Sequence, residues 1–223
     1  MKKKTENYII LACVFVIMIC AILVSIIYGT NKKNNKFVFN EHLEEEVLVI
    51  SKNDEKHPLT LKDVSYYVLI MEATGDANAK LYDPSKKNAF WNIYINNTFV
   101  KTIAKENAIN LCIRDNVYYL EAVANNVSLE PVELEAVEEE TDFIYFSLTG
   151  KQLDATTLDR SDIYNIRYKI ALATKYVTKL MNENDLSADT LNIDGEYYTD
   201  LLDSYDIEID DLWDNVELGS ITI

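Results

Sequence analysis

The feature that most constrains this chain is an uncharged apolar run that extends over residues 8–28, directly after the lysines at 2–4 and the polar residues that follow them. At about 1.5 Å per residue, a helix of this length crosses a hydrocarbon layer of roughly 30 Å. A buried core helix would show a polar stripe, and this run shows none. We therefore expect a transmembrane anchor in which Tyr8, Phe15 and Tyr28 contact the membrane, with the two tyrosines at its water interfaces.

A cleaved secretory signal peptide is the alternative interpretation of the run, because signal peptides share the basic start and the apolar stretch. The run exceeds the usual apolar core of about 7–15 residues, and no A-x-A cleavage pattern follows it. Residues 10–13, Ile-Leu-Ala-Cys, are similar to a lipoprotein cleavage box, but the apolar run continues far beyond them. Lipidation at this point is therefore rejected.

The lysines on the two sides of the run nearly balance, so the positive-inside comparison alone does not orient it. A short amino terminus usually stays in the cytoplasm while the long following segment is exported. We accordingly predict a single-pass cell-membrane protein with an extracytoplasmic body. The predicted parts are a cytoplasmic amino terminus (1–7), a membrane anchor (8–28), a polar tether (29–45) and a helical domain (46–223).

The charge of the body restricts its partners. Residues 29–223 hold 18 Lys and Arg against 36 Asp and Glu, a net charge of −18. Nucleic acid is excluded as a partner, since phosphate binding requires clustered Lys and Arg. The densest acidic groups, at 44–46, 138–140 and 206–214, are interpreted as solvated surface. None matches the D-x-[DN]-x-[DN]-G calcium loop, so no metal site is predicted.

Residue patterns that carry catalysis are missing from the sequence. No H-E-x-x-H, C-x-x-C, G-x-S-x-G or Gly-rich phosphate loop occurs. His42 and His57 lie in charged flanks and are interpreted as exposed loop residues. Cys112 falls in an apolar helical stripe and is interpreted as a small buried hydrophobe, with a reactive thiol as the alternative. We therefore predict a protein that is not an enzyme and has no catalytic residue and no cofactor.

The 5 Gly and 3 Pro in 223 residues favour long helices over a β-sandwich. Thr60 and Asp63 form a predicted capping box at the start of the first helix, which Gly75-Asp76 ends or kinks. Two apolar runs predict a small two-stranded sheet that joins the ends of the body. Because the other predicted elements are helices, the predicted fold class is mainly α. The predicted strands are 47–50 and 216–223. The later helices are predicted at 97–124, 128–149, 161–180 and 196–205. The helix at 128–149 has an apolar stripe of Val132, Ala136, Phe143 and Phe146.

Aromatic residues gather near the ends of the predicted helices. Core packing is one explanation for them. The other is an exposed cradle for unfolded polypeptide, because Tyr and Trp give a large contact area with little rotamer entropy to lose. The sequence leaves both explanations open. The candidate client-binding residues are Trp91, Tyr94, Phe99, Tyr118, Tyr119, Tyr145 and Phe146.

Several short segments have an order that is found in a known family. They are TLKDVSYY at 60–67, Phe90-Trp91 before a long helix, RDNVYYLEA at 114–122 and VSLEP at 127–131. Together they resemble the N-terminal chaperone domain of the SurA/PrsA foldase family, over roughly residues 46–182. Residues 163–180 resemble the helix before the isomerase domain of these proteins, and 195–219 resemble their closing helix and strand.

The sequence departs from that family at one point. PrsA-type foldases insert a parvulin peptidyl-prolyl isomerase domain before the closing helix, whereas here residues 181–194 bridge the gap directly. The resemblance therefore implies a membrane-tethered, chaperone-like protein that binds unfolded or exported polypeptides and lacks isomerase activity. The alternative is a scaffolding subunit of a membrane or envelope complex that binds one folded partner.

Overall fold

The computed structural model describes residues 37–83, 85 and 87–223, and the unit described below is Phe39–Ile223. This part of the chain is mainly helical with a small sheet. Two 3-10 turns lie at Phe39–Glu41 and Asp211–Asn215. The strands and helices, in chain order, are β1 (Glu46–Lys52), β2 (Glu55–Thr60), α1 (Leu61–Tyr82), α2 (Lys87–Trp91), β3 (Tyr94–Ile95), β4 (Thr98–Phe99), α3 (Val100–Ala124), α4 (Pro131–Ser147), α5 (Gly150–Thr156), α6 (Arg160–Asn184), α7 (Glu196–Leu202) and β5 (Asp206–Ile209).

The predicted transmembrane anchor is not supported. Its residues, 8–28 with Tyr8, Phe15 and Tyr28, lie outside the described residues. Within the described part of the chain, no helix combines the length and the apolar character needed to cross a bilayer. The three longest helices, α1, α3 and α6, all carry charged side chains. The prediction of a single-pass membrane protein with a lipid-bilayer partner and an extracytoplasmic body is corrected accordingly, and the function proposed below does not depend on it.

The three-stranded sheet has the order β2-β1-β5, with both pairings antiparallel. Val47, Leu48 and Ile50 of the central strand are buried, as expected for a short apolar run. The turn between β1 and β2 is Asn53-Asp54, with φ of 51° and 67°. A two-residue hairpin turn with positive φ at both positions suits the twist of the strands, and Asn and Asp tolerate it.

The predicted pairing of 47–50 with 216–223 is wrong, although β1 itself is confirmed. The strand from the carboxyl-terminal part of the chain that pairs with β1 is β5, and Ile50 of β1 pairs with Ile207 of β5. The backbone amides of 219–222 donate instead to the buried carboxylate of Glu72, so they are not available for a strand ladder. The structure also contains β2, which the sequence analysis missed because the strand is polar and contains Pro58, a residue that edge strands tolerate.

The capping box at the first helix is confirmed: Thr60 and Asp63 each accept a hydrogen bond from the other residue's backbone amide. The helix does not end at Gly75-Asp76 but continues to Tyr82. Gly75 is required for packing, because a Cβ there would lie 2.1 Å from the ring of Trp91. The close approach of the Trp91 ring explains why a glycine occupies position 75, which does not mark the end of the helix.

The longest helices form the core. α3 packs against α6 and α1, and α4 lies on the other side of α6. Ala108, Cys112 and Val117 of α3 are fully buried, which agrees with the wide apolar face predicted for that helix. The helix ends at Ala124 before Asn125, as predicted, but it begins at Val100 with Phe99 as N-cap, because Asn96-Asn97 form a hairpin turn instead of a cap.

The apolar stripe of the predicted helix 128–149 lies on the exposed face of α4. Val132, Phe143 and Phe146 of α4 are 71–78% exposed, while the buried residues are Val137 and Thr141. The face that packs on α6 carries Val137 and Thr141, and carboxylates of α4 form ion pairs with α6 that are described below. The helix is also shorter than predicted, because it begins at Pro131 and a second helix, α5, follows from Gly150.

Candidate functional site

Two of the seven candidate client-binding residues belong to the core, and this part of the prediction is corrected. Trp91 is 3% exposed and Tyr118 is 1% exposed. The Trp91 ring fills the space above Gly75 and Gly219, where side chains would collide with it. The Tyr118 hydroxyl donates to the carbonyl oxygen of Leu191 at 2.7 Å. Neither side chain is accessible to a polypeptide.

The other five candidates lie at separate places. Tyr119 is half-buried on α3, and the ammonium group of Lys169 lies 5.6 Å from its ring centroid. Tyr145 and Phe146 lie on α4 with ring centroids 5.5 Å apart. Tyr94 and Phe99 lie on the small hairpin β3–β4. The aromatic residues named from the sequence therefore do not form one continuous cradle.

The hairpin β3–β4 displays an aromatic pair. Tyr94 and Phe99 are 60% and 42% exposed, and they are direct cross-strand partners. Their ring centroids are 5.1 Å apart in an edge-to-face arrangement, which is a favoured geometry for two aromatic rings. The two-residue turn Asn96-Asn97, with φ of 50° and 67°, holds the two strands in this register.

The base of the hairpin is fixed to the core. The Ile93 amide donates to the Phe90 carbonyl at 3.1 Å, and the Val100 amide donates to the Ile93 carbonyl at 3.0 Å. Between these bonds and α1 lies the buried Trp91. The exposed pair thus projects from a rigid base, which limits the conformational entropy that binding would cost.

The carboxyl end of α1 adds further exposed apolar groups. Leu81 and Tyr82 are 85% and 66% exposed. The Tyr82 ring lies 6.3 Å from that of Phe90, and Phe90 lies 6.0 Å from Trp91. We call the surface formed by this helix end and the hairpin the aromatic end; its residues are Leu81, Tyr82, Phe90, Tyr94, Ile95 and Phe99.

Sequence reasoning missed Leu81, Tyr82, Phe90 and Ile95 as members of this surface. One sequence feature could have indicated them: apolar residues lie on both sides of the charged loop that follows Tyr82. Two ion pairs lie near it: Lys80 with Asp76 at 2.7 Å, and Lys101 with Glu217 at 3.6 Å. The aromatic end is therefore an apolar surface on an otherwise acidic protein.

The polar groups of the interior have structural roles. Burial raises the pKa of the Cys112 thiol, so the thiol is protonated and unreactive at neutral pH, in agreement with the buried role predicted for it. Burial also raises the pKa of Asp115, whose carboxylate accepts a hydrogen bond from the Tyr67 hydroxyl at 3.2 Å. Within the described ranges, no three His, Cys, Asp or Glu side chains group as metal ligands do.

The two histidines are half-exposed. His42 lies 2.8 Å from Glu45, and His57 lies 3.8 Å from Glu55. His57 belongs to strand β2, so the prediction that it lies in a loop is wrong. Each histidine has a carboxylate neighbour on its own local segment, which is an arrangement common at protein surfaces.

Comparison of the chain with protein-family models, with curated proteins and with solved structures gives no match. The similarity to the SurA/PrsA foldases therefore rests on the sequence segments quoted above. Any function must be argued from the surfaces of the molecule itself.

Proposed function

We propose that this protein is a chaperone-like holding module that binds unfolded polypeptides through the aromatic end. The observation that carries the proposal is the group of large apolar side chains exposed there on a fixed hairpin and a helix end. Exposed apolar groups of this size mark interaction sites on protein surfaces. Aromatic side chains are favoured in such sites because they give a large contact area with few rotatable bonds.

The expected binding is weak and reversible. Burying one large apolar side chain contributes about 2 kcal/mol, and much of the total is offset by the lost freedom of the bound chain. The aromatic end presents its exposed side chains on a hairpin and a helix end, and a surface of this kind suits many apolar sequences. Such a surface would hold a client for a short time and then release it.

The charge of the protein favours one class of client. Residues 29–223 carry a net charge of −18. Long-range attraction therefore raises the encounter rate with apolar segments that have Lys or Arg nearby, and it repels acidic chains. We expect affinity for basic clients to fall as salt is added.

The resemblance to SurA/PrsA chaperone domains supports the same proposal. It does not imply isomerase activity, because it covers only the chaperone domain of those proteins. The segment that replaces the isomerase domain is a short connection between α6 and α7, closed by a hydrogen bond from the Gly195 amide to the Asn192 carbonyl at 2.8 Å. The proposed activity is therefore binding alone.

A binding assay tests the proposal. The probe is a fluorescently labelled, reduced and carboxymethylated protein that stays unfolded, and the readout is fluorescence anisotropy. We expect the wild-type protein to bind it and the variant Tyr94→Thr/Phe99→Thr to bind at least fivefold more weakly. The matched control is Val123→Thr, which changes another half-exposed apolar residue, on α3. Equal binding by wild type and the double variant would overturn the proposal.

A further inference from the structure

The outer face of α4 is a second exposed apolar surface, separate from the aromatic end. Val132, Phe143 and Phe146 are 71%, 78% and 77% exposed. The opposite face of the helix, with Val137 and Thr141, is buried against α6. Two phenylalanines exposed to this degree on one helix are unusual, because burying a side chain of this size contributes about 2 kcal/mol.

The exposed residues follow the spacing of a coiled-coil seam. Val132, Ala136, Glu139, Phe143 and Phe146 are separated by four, three, four and three residues, which places them at successive d, a, d, a and d positions of a heptad pattern. We call this row the outer stripe. It presents the pattern that packs against a second helix, with a carboxylate at its centre.

Ion pairs join α4 to α6 while the outer stripe faces away from the core. Arg160 of α6 binds both Asp142 and Glu138, at 2.6 Å and 2.5 Å. Lys175 binds Glu133 at 2.6 Å, and Arg167 binds Glu140. Because these contacts run along α4 from Glu133 to Asp142, the helix cannot rotate to bury its phenylalanines without breaking them.

The flanks of the outer stripe carry carboxylates, of which Glu133, Glu140 and Asp142 are already paired with basic side chains of α6. The flanking e and g positions are occupied by Glu133, Glu135, Glu140 and Asp142. Glu135 and Glu139 are exposed and form no ion pair with any residue that the structure describes. A helix lying along the stripe therefore meets Glu139 in the middle of the stripe and Glu135 beside it, and it can pair with both.

We propose that the outer stripe docks an amphipathic helix of another protein, which has apolar residues at heptad spacing, Lys or Arg beside them, and a basic residue opposite Glu139. Charge complementarity selects this occupant, since coiled-coil partners are chosen by their e and g charges. A second copy of this chain is disfavoured, because its stripe would bring a second Glu139 and a second Glu135 and no basic residue to pair with them. The partner is thus a basic helix, and its docking does not depend on the function of the aromatic end.

Two designed helical peptides test the proposal with the full-length protein. Both carry the same leucine stripe; one has Lys at the flanking positions and the other has Glu, and binding is measured by fluorescence anisotropy. We expect the Lys peptide to bind at least tenfold more tightly than the Glu peptide. Phe143→Ser/Phe146→Ser should weaken binding of the Lys peptide at least tenfold, while Tyr94→Thr/Phe99→Thr should leave it unchanged.

Glu139→Lys gives a second variant at an exposed position that does not contribute to the core. It should lower the affinity for the Lys peptide and raise the affinity for the Glu peptide, each by severalfold. The proposal is overturned if Phe143→Ser/Phe146→Ser binds the Lys peptide like wild type, if both peptides bind equally, or if Tyr94→Thr/Phe99→Thr abolishes binding. It is also overturned if light scattering shows a homodimer that Phe143→Ser/Phe146→Ser dissociates, because the occupant would then be a second copy.

Discussion

Thr222 donates two hydrogen bonds to one carboxylate oxygen of Glu72, from its backbone amide and from its hydroxyl, the latter at 2.6 Å. The amides of Gly219, Ser220 and Ile221 donate to the other oxygen, at 2.5, 2.9 and 3.0 Å. Glu72 is fully buried on α1. Successive backbone amides around an anion stabilise its charge in the absence of water. This one carboxylate therefore holds the closing segment against α1.

Replacing Glu72 by Gln should lower the free energy of unfolding by about 3 kcal/mol, because the Gln amide group places two donors among amides that need acceptors. Urea unfolding followed by circular dichroism measures the loss. Glu55→Gln, at an exposed strand position, is the control and should change stability by less than about 0.5 kcal/mol. A Glu72→Gln protein as stable as wild type would show that the closing segment is held by other contacts.

Replacing Gly75 by Ala should destabilise the protein by about 1–2 kcal/mol, although Ala is the better helix former. The new Cβ would lie within 2.4 Å of two atoms of the Trp91 ring. Gly150→Ala is the matched control, since a Cβ there meets no atom within 4 Å, and it should be neutral or slightly stabilising. Thermal unfolding compares the two variants.

The cost of Gly75→Ala should shrink when Trp91 is also replaced by Leu, because the smaller side chain leaves room for the methyl group. This double-mutant cycle separates the collision from general effects on the helix. If the cost of Gly75→Ala were the same beside Leu as beside Trp91, the contact between these two residues would not explain the glycine.

The thiol of Cys112 should resist modification in the folded protein. It is fully buried, and burial raises its pKa, so almost no thiolate forms at pH 8. A variant in which Cys13 and Cys20 are serine isolates this thiol. We expect a disulfide reagent to label it only after unfolding in guanidinium chloride; labelling at the rate of a free thiol under native conditions would contradict the buried position.

The N-cap of α6 should contribute a pH-dependent stability. The Asp162 amide donates to the Asp159 carboxylate at 2.8 Å, and such backbone hydrogen bonds lower the pKa of Asp159. A carboxyl group whose pKa is lower in the folded state stabilises the fold above its ordinary pKa, and this contribution disappears as the pH falls through the folded value.

Asp159→Ala should therefore cost about 1 kcal/mol at pH 7. The difference from wild type should narrow below about pH 4. Asp159→Asn keeps a capping oxygen without the charge, so it should lose less stability at pH 7 than Asp159→Ala does. Urea unfolding at pH 7 and pH 3 measures these differences. A difference that stayed constant with pH would mean that the ionised carboxylate is not the stabilising group.

Local patterns in the sequence predicted the local structure well. The capping box of Thr60 and Asp63 marks the start of α1, and Asn125 marks the end of α3. The regular apolar spacing over 163–180 predicted α6, which extends from Arg160 to Asn184. In each case the information lies within a few residues of the element that it specifies.

Features that depend on distant residues could not be predicted in this way. The alternating, β-branched residues 216–223 resemble a strand, but Glu72, far away on α1, takes their amides. The spacing of Val132 and Phe143 correctly predicted one face of a helix, but it could not show that the opposite face, with Val137, packs on α6. For the same reason the burial of Trp91 became visible only with its neighbours Gly75 and Gly219.

Suppression of client aggregation tests the central claim most directly. A chemically denatured client is diluted into buffer with wild-type protein, Tyr94→Thr/Phe99→Thr or Val123→Thr, and light scattering is recorded. We predict that wild type and Val123→Thr reduce the scattering at equimolar ratio, while the hairpin variant loses most of this effect. If wild type had no effect on any client at stoichiometric excess, or if the hairpin variant protected equally well, the aromatic end would not be the binding surface proposed for it.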